Sequence, residues 1–553
     1  MIRLTLKCVL VVFLLSKTGW EISEPASFPK ANAVTVAATP ELPRIRLNSD
    51  SLPSTGRVIA VTPGGDFQAA LNRALPGDVI TLKAGATYTG NFILPAKKGA
   101  GWIVIRTSTP DADLPSAGTR MTPLKSGLLP KIVTANSDAA IATAPGAHNY
   151  RLIGLEISVQ SGVKTNYGIV KLGDSGEAQS SLAVVPRDLI IDRCYIHGNE
   201  KGDISRGIAL NSASTAIVDS YVSECHGVGL DTQAICGWNG PGPFKIVNNY
   251  LEGSGENFML GGADAKIKDL VPSDIEFLRN HVYKPLRWKT GEPEYAGIHW
   301  TVKNLFELKN AQRVLIEGNI FENNWADAQD GFAMVFKSVN QDGSAPWSVT
   351  RDVTFINNII RHSGGGINLL GRDMSHQCEP MKRILISNNL WDDIDGSRWG
   401  KTHGRFLQIS DTPDVVVDHN SVFHTGSVIT VYGAPSQGFV FTNNLGAHNE
   451  YGVKGDGAAP GNGTLNSYMP GAIFARNVLA GGAASIYPAG NLFPKSLADI
   501  GVIDRSGIAF QMSLLKPYKA GGSDGNDLGC DLVSLAKATS GVLALPLQNS
   551  RTQ

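Results

Sequence analysis

Two short apolar runs, NLFELKN and FAMVFKS, carry a glutamate and two lysines at alternating positions: Glu307, Lys309 and Lys337. Residues two apart in a strand share a face, so these side chains leave their aliphatic neighbours for an outer surface. Aligned segments of the same type, GVGLDT and NFMLGG, bring Asp231 and Gly261 to equivalent places. Strands stacked about 4.8 Å apart gather Asp231, Glu307, Lys309 and Lys337 into one patch of both signs. Such a patch is equipped for proton transfer. A cation neutralises a substrate carboxylate and acidifies the adjacent C–H, and a Lys or Arg removes the proton. Lys309, Lys337, Arg351 and Arg372 are candidates for these roles, with Glu307 beside them. Asp231, Glu256 and Asp264 offer oxygen ligands for Ca²⁺; Asp231 with Glu256 or Asp264 also makes the carboxylate pair of a glycoside hydrolase. The plain alternative for Glu307 with Lys309 or Lys337 is a solvated ion pair.

The elements that position these residues are copies of one unit. VTFINNIIRHSGGGINLLG, Val353 to Gly371, runs from an apolar strand through Asn357-Asn358 to a second strand ending in glycine. Its second asparagine, Asn358, has counterparts at Asn249, Asn280, Asn319, Asn389, Asn420, Asn444 and Asn477, with Arg193 and Ser220 holding the place upstream. Recurrence at this spacing is the mark of a solenoid. Strands of four to six aliphatic residues without helical spacing exclude a helical one. The expected architecture is all-β: a single-stranded, right-handed parallel β-helix whose asparagines form a hydrogen-bonded ladder at a turn that needs left-handed backbone. Two long intervals insert KPLRWKTGEPEYAGIHWTVK and SVNQDGSAPWSVTR beside the patch, so the long loops are expected on one side. They bring Arg287, Trp288, Lys289, His299, Trp300 and Trp347. Rings beside cations suit a sugar, whose CH face stacks on Trp while Lys and Arg bind hydroxyls or carboxylates; the same rings could simply pack the loops.

The ends set the boundaries. Residues 1–33 open with Arg3 and Lys7 before the apolar run Cys8 to Leu15, which suits an export signal and is too short for a span. Residues 34–56 carry prolines and no period and read as a linker or an extended lead-in, and 57–553 form the β-helix with its terminal coils. Asp66 caps a short amphipathic helix of Phe67, Ala70, Leu71, Ala74 and Leu75 that covers the open end of the stack. The rest of the chain has no further candidate span, so the protein is expected to be secreted, periplasmic or on the cell surface, and monomeric. Lys+Arg and Asp+Glu balance at 49 each, which argues against a nucleic acid or a membrane surface bound by bulk charge. Five cysteines follow the export segment, Cys194, Cys225, Cys236, Cys378 and Cys530; the number is odd and no metal spacing appears. Zinc, P-loop and dinucleotide motifs are absent.

PGDVITLKAGATYTGNF, Pro76 to Phe92, resembles the first coil of secreted β-helix proteins, including polysaccharide lyases of the chondroitinase B and alginate lyase type, within the pectate-lyase-like superfamily. Pro517 to Asp531 resembles the closing coil of such proteins, and roughly 250–410 resembles an uncharacterised bacterial group. The resemblance implies a polysaccharide partner and β-elimination on a uronic acid polymer, with Ca²⁺ as a candidate cofactor. The metal and basic segments of those lyases have no residue-by-residue match. Two alternatives stand beside the lyase: a glycoside hydrolase of the same fold, and a non-catalytic glycan-binding or cell-surface β-helix.

Overall fold

The computed structural model describes residues 37–50, 56–400, 403–504 and 510–543; the export segment expected in 1–33 lies outside them. Each coil is a strand of sheet A, an asparagine turn, a strand of sheet B, a second turn and a strand of sheet C. The three sheets hold 14, 13 and 12 strands, and every coil-to-coil pairing is parallel, as in Val314↔Val353 of sheet A, Phe321↔Ile360 of sheet B and Phe306↔Met334 of sheet C. The chain is a right-handed parallel β-helix.

The ladder is built as its chemistry requires. Asn319 donates its backbone N–H and its Nδ2 to Asn358 Oδ1 (both 2.9 Å), and Nδ2 donates again to Phe277 O (2.9 Å). The same contacts join Asn249 to Asn280, Asn358 to Asn389, Asn389 to Asn420, Asn420 to Asn444 and Asn444 to Asn477. All eight ladder asparagines are buried. Two details differ from the sequence reading. The left-handed residue is the one before each ladder position, as at Asn357 (φ 56°), Asn388 (φ 53°) and Asn443 (φ 59°). Arg193 is such a residue (φ 49°), so Cys194 holds the ladder place and donates to Ser220 Oγ at 3.0 Å. Asn491 extends the ladder by one further step.

Inside the stack, Phe258, Phe277, Phe306, Phe321, Phe336, Phe355 and Trp391 pack ring on ring between coils. Each such ring contributes roughly 1.5–3 kcal/mol by leaving water. At the first coil, Asp66 accepts from Ala69 N at 2.8 Å and starts the helix Phe67–Arg73, whose Phe67, Ala70 and Leu71 are buried. Leu75 is exposed. All five cysteines are buried and free.

Both ends of the described chain run back along the outside. Residues 37–50 do not form a free linker. Ala38 N, Glu41 N and Arg44 N donate to Asp414, Asp352 and Asp274 Oδ1 at 3.2, 3.2 and 2.9 Å, and Leu47 O accepts from Lys245 Nζ at 3.1 Å. The three donors recur every three residues and land two strands apart along sheet A, at Asp414, Asp352 and Asp274, while Lys245 lies on the strand next to that of Asp274. Three extended residues cover about 10 Å, two steps of a sheet with spacing near 4.8 Å, and Pro40 and Pro43 fall between the donors. At the other end, Pro517 to Asp531 does not close a coil. It retraces the turn between sheets A and B, with Ser523 N on Asn443 Oδ1, Cys530 N on Ser421 Oγ and Asp531 N on Asn388 Oδ1. The helix Leu532–Thr539 then buries Leu535 near Leu390 and Phe423 of sheet B.

Candidate functional site

Sheet C is the face that neither end covers. Its outward row runs in register through Ala209, Cys236, Met259, Glu307, Val335, Asn368, Gln408, Thr430 and Lys454. The two insertions lie on its opposite edges, not on one side. Residues 284–303 join the sheet B strand His281–Tyr283 to the sheet C strand Asn304–Leu308, and 338–349 join the sheet C strand Phe332–Lys337 to the sheet A strand Thr350–Ile356.

At the middle of this row lies a cluster of six charged groups. Glu307 is fully buried, with Oε1 3.1 Å from Lys337 Nζ and 3.6 Å from Lys309 Nζ, and Oε2 accepts from Asn304 Nδ2 at 2.9 Å. One strand earlier, Glu256 accepts from Gln233 Nε2 at 2.7 Å and lies 3.6 Å from Lys303 Nζ. Lys303 also contacts Asp231 directly. Gly261 makes room for Lys309: with φ +108° it sits where a Cβ would come within 2.5 Å of the lysine's own Cβ.

The two buried glutamates are driven apart. Burial works against the Glu307 charge, but Lys337 and Lys309 outweigh it and hold the carboxyl down at about 2. For Glu256, burial and then the charge of Glu307 exceed the help of Lys303, and its pKa is raised. Burial also opposes the Lys303 ammonium, yet Glu256 and Asp231 raise its pKa. The carboxylates therefore form a floor beneath the cations. Lys303, Lys309 and Lys337 keep 18%, 16% and 19% of their side chains exposed against 1% or less for Glu256 and Glu307, while Asp231 is 60% exposed.

Unmet hydrogen-bonding capacity concentrates here too. Among the described residues, Arg206, Gln233, Asn304, Asn368 and Thr430, all on sheet C strands, each bury a polar atom without a hydrogen-bond partner in the protein. Such atoms call for water or a ligand.

The expected patch of Asp231, Glu307, Lys309 and Lys337 is thus assembled, with the candidate metal ligand Glu256 beside it, by a route the sequence did not fully show. GVGLDT is not a strand: the sheet C strand is Gln233–Gly237, and Asp231 enters from the turn before it. Lys303, Gln233 and Asn304 join the site from strand ends. Arg372 stands at its edge, ion-paired with Asp411 at 2.7 Å. Arg351 does not belong to it, because its strand is in sheet A and its guanidinium donates to Gln312 Oε1 at 2.9 and 2.7 Å. Asp264 is not a partner of Asp231 and Glu256 in a calcium site. Its oxygens accept from Gln341 N, Asp342 N and Ser344 N and hold the 341–344 turn, while Lys303 places an ammonium between the other two carboxylates. Among the described residues no three His, Cys, Asp or Glu side chains converge as metal ligands, so this donor set does not fit Ca²⁺.

The aromatic residues expected to stack on substrate pack the inserted loop instead. Trp288 and Trp300 are buried with Val302, Trp325 and Trp399, and Trp300 stacks on His226 with centroids 3.8 Å apart. Lys289 pairs with Glu292 at 2.7 Å and faces the Trp399 ring. His299, exposed, bonds Asp327 at 2.7 Å, and half-buried Trp347 donates to Leu270 O at 3.2 Å. Arg287 turns to sheet B, where it joins Glu224 at 2.5 Å and Glu252 at 2.9 Å. Burial, then Glu224, raises Glu252 to about 8. Lys284 serves the site from behind. Its Nζ donates to Gly253 O (2.6 Å), Ser254 O (3.0 Å), Gly255 O (2.9 Å) and Asn257 Oδ1 (2.9 Å), the turn that carries Glu256.

No family model and no curated protein matches the sequence. Solved structures do. The PL6 family alginate lyase AlyGC is similar over 86% of this chain and 58% of its own, at 12% identity and a TM-score of 0.45. The chain therefore spans little more than half the length of that enzyme. The catalytic unit of a GH87 α-1,3-glucanase from Streptomyces thermodiastaticus matches over 81% and 71% (10% identity, TM-score 0.46). A tailspike protein of E. coli bacteriophage HK620 matches over 79% and 68% (12%, 0.41). The likeness is one of fold. It assigns no chemistry to the cluster around Glu307, which stands on its own geometry.

Proposed function

We propose that the protein is an extracellular, monomeric carbohydrate-active enzyme that cleaves a uronic-acid-containing polysaccharide by β-elimination on sheet C. The observation that carries this reading is the layering of the site: fully buried carboxylates below, partly exposed ammonium groups above. Burial and the charge of Glu307 raise the Glu256 pKa, which weakens the negative charge beneath Lys303, Lys309 and Lys337 and favours a substrate carboxylate above them. Lys309 and Lys337 bind that carboxylate and so acidify the adjacent C–H. Asp231, the exposed carboxylate, takes the proton; the C–H electrons form the C=C bond as the glycosidic C–O bond breaks, and the leaving oxygen takes a proton from Lys303. Transfer from Asp231 to Lys303 across their contact restores both groups. Glu307 and Lys284 are positioning residues, the first for the two lysines and the second for the turn of Glu256.

A glycoside hydrolase reading draws on one specific observation, the opposite displacement of Glu256 and Glu307, which is the pattern of an acid and a base. Both are buried beneath lysines, however, and a hydrolase needs its pair to flank the bond. The test is incubation of the full chain with a panel of uronate polymers while following the ultraviolet absorbance of the unsaturated product. The proposal expects a rise that Lys303→Met abolishes and Lys337→Met cuts by about tenfold or more, the loss of one charged contact. New reducing ends without that absorbance would replace the lyase by the hydrolase, and polymer bound but uncut would leave a binding module.

A further inference from the structure

The outward row of sheet C does not stop at Glu307. It continues through Val335, Asn368, Gln408 and Thr430 to Lys454, five steps or about 24 Å at the usual strand spacing. Over its last three members opens a cavity of about 840 Å³. Its floor has unspent polar capacity: Thr430 Oγ1 has no protein partner, and neither has Asn368 Oδ1 one strand before. Arg405 reaches across the floor and donates from Nη1 to Gln408 Oε1 at 3.1 Å. Two rings, Tyr432 and Tyr451, line the walls. Lys454 donates to Ala458 O, and Glu450 and Asp456 complete the rim.

From this geometry we infer a distal glycan subsite, three to five coils from Glu307, that binds pyranose units of the same chain whose scissile unit lies at Lys309 and Lys337. The inference rests on the function proposed above and extends it. Rims of both signs beside two tyrosines suit the hydroxyl-rich pyranose more than a run of bare anions. Ring CH faces lie on the tyrosines, hydroxyls donate to Thr430, Glu450 and Asp456, and a uronate carboxylate takes the free N–H groups of Arg405. A pyranose unit is about as long as a coil is high, so a chain laid along the row meets the cluster and the cavity together. Binding energy collected there, remote from the reacting bond, favours long chains over short ones.

Titration calorimetry of the full chain with uronate dimers and hexamers tests this, in wild type and in the Thr430→Val and Arg405→Met variants. The wild type should bind the hexamer at least about tenfold more tightly than the dimer, and either variant should lower that ratio by about tenfold, the effect of one good polar contact. Lys337→Met should weaken both ligands and leave the ratio alone. A ratio unchanged in both distal variants overturns the subsite. If wild type binds neither uronate, the proposed substrate class fails. Neutral gluco-oligosaccharides then decide the rest: hexamer binding weakened by Thr430→Val keeps the subsite, and no binding removes it.

Discussion

Sheets A and C both carry polar residues on their outer faces and treat them in opposite ways. On sheet A the charges are mostly closed into pairs: Arg313 meets Asp274 through two bonds (2.7 and 3.1 Å), Arg383 meets Asp352 (2.6 and 2.7 Å), and Arg151 meets Asp192 (2.7 Å) with its Nε alone left over. The remaining aspartate capacity is taken by the backbone of residues 38–44. On sheet C, five strand residues leave buried polar atoms unmatched, and three ammonium groups stand over two buried carboxylates. Sheet B resembles sheet A, since the C-terminal segment covers Ile359, Leu390 and Leu445. A solenoid has three outer faces of nearly equal build. This chain uses its own two ends to cover parts of two, and the uncovered one is where a ligand can satisfy what the protein leaves open.

The contrast can be broken most severely at Glu307. Glu307→Gln leaves Lys309 and Lys337 without the buried counter-charge they share, and removing one partner of a buried ion pair costs about 3–5 kcal/mol; urea unfolding should show it. Acid should act on the same group. Its pKa in the folded protein, about 2, lies below the ordinary 4.5, so the unfolded chain binds the proton first and the stability from Glu307 is lost as pH falls through that window. Glu307→Gln should remove a few kcal/mol of that acid sensitivity. Asn358→Ala should come next. It strands the two donors of Asn319, at about 2–4 kcal/mol for buried donors without acceptors, and should leave glycan affinity intact, because the ladder is structural. The smallest effect belongs to sheet A. Asp352→Ala frees Arg383 and Glu41 N–H and should cost about 1–2 kcal/mol, with faster proteolysis near Glu41 and unchanged glycan binding.

How much of this was legible in the sequence follows from which patterns repeat. The ladder was, because Asn at one turn recurs in eight successive coils and a buried amide finds its side-chain partners in its own copies. Glu307, Lys309 and Lys337 were, because alternation along the strand and register between coils together fix a face. Lys303, Gln233 and Asn304 were not: they sit at strand ends, where alternation has not begun. Arg351 was misplaced because it closes the insertion SVNQDGSAPWSVTR, read as a loop beside the patch, whereas the residue already belongs to the next sheet A strand, Thr350–Ile356. Trp288 and Trp300 were read as stacking platforms since a ring that packs a loop and a ring that binds a sugar are the same residue until burial is known. The docking of residues 37–50 escaped notice because its period of three lies in backbone N–H groups, which every residue but proline supplies.

The central claim is that sheet C is the ligand face, and lysine footprinting tests it most directly. The full chain is methylated at its lysines with and without a saturating uronate hexamer, and the modified sites are read by mass spectrometry. Protection at Lys303, Lys309 and Lys337, with Lys382 on sheet A labelled equally in both samples, is the predicted result. Equal labelling of all four, or protection at Lys382 alone, would contradict it.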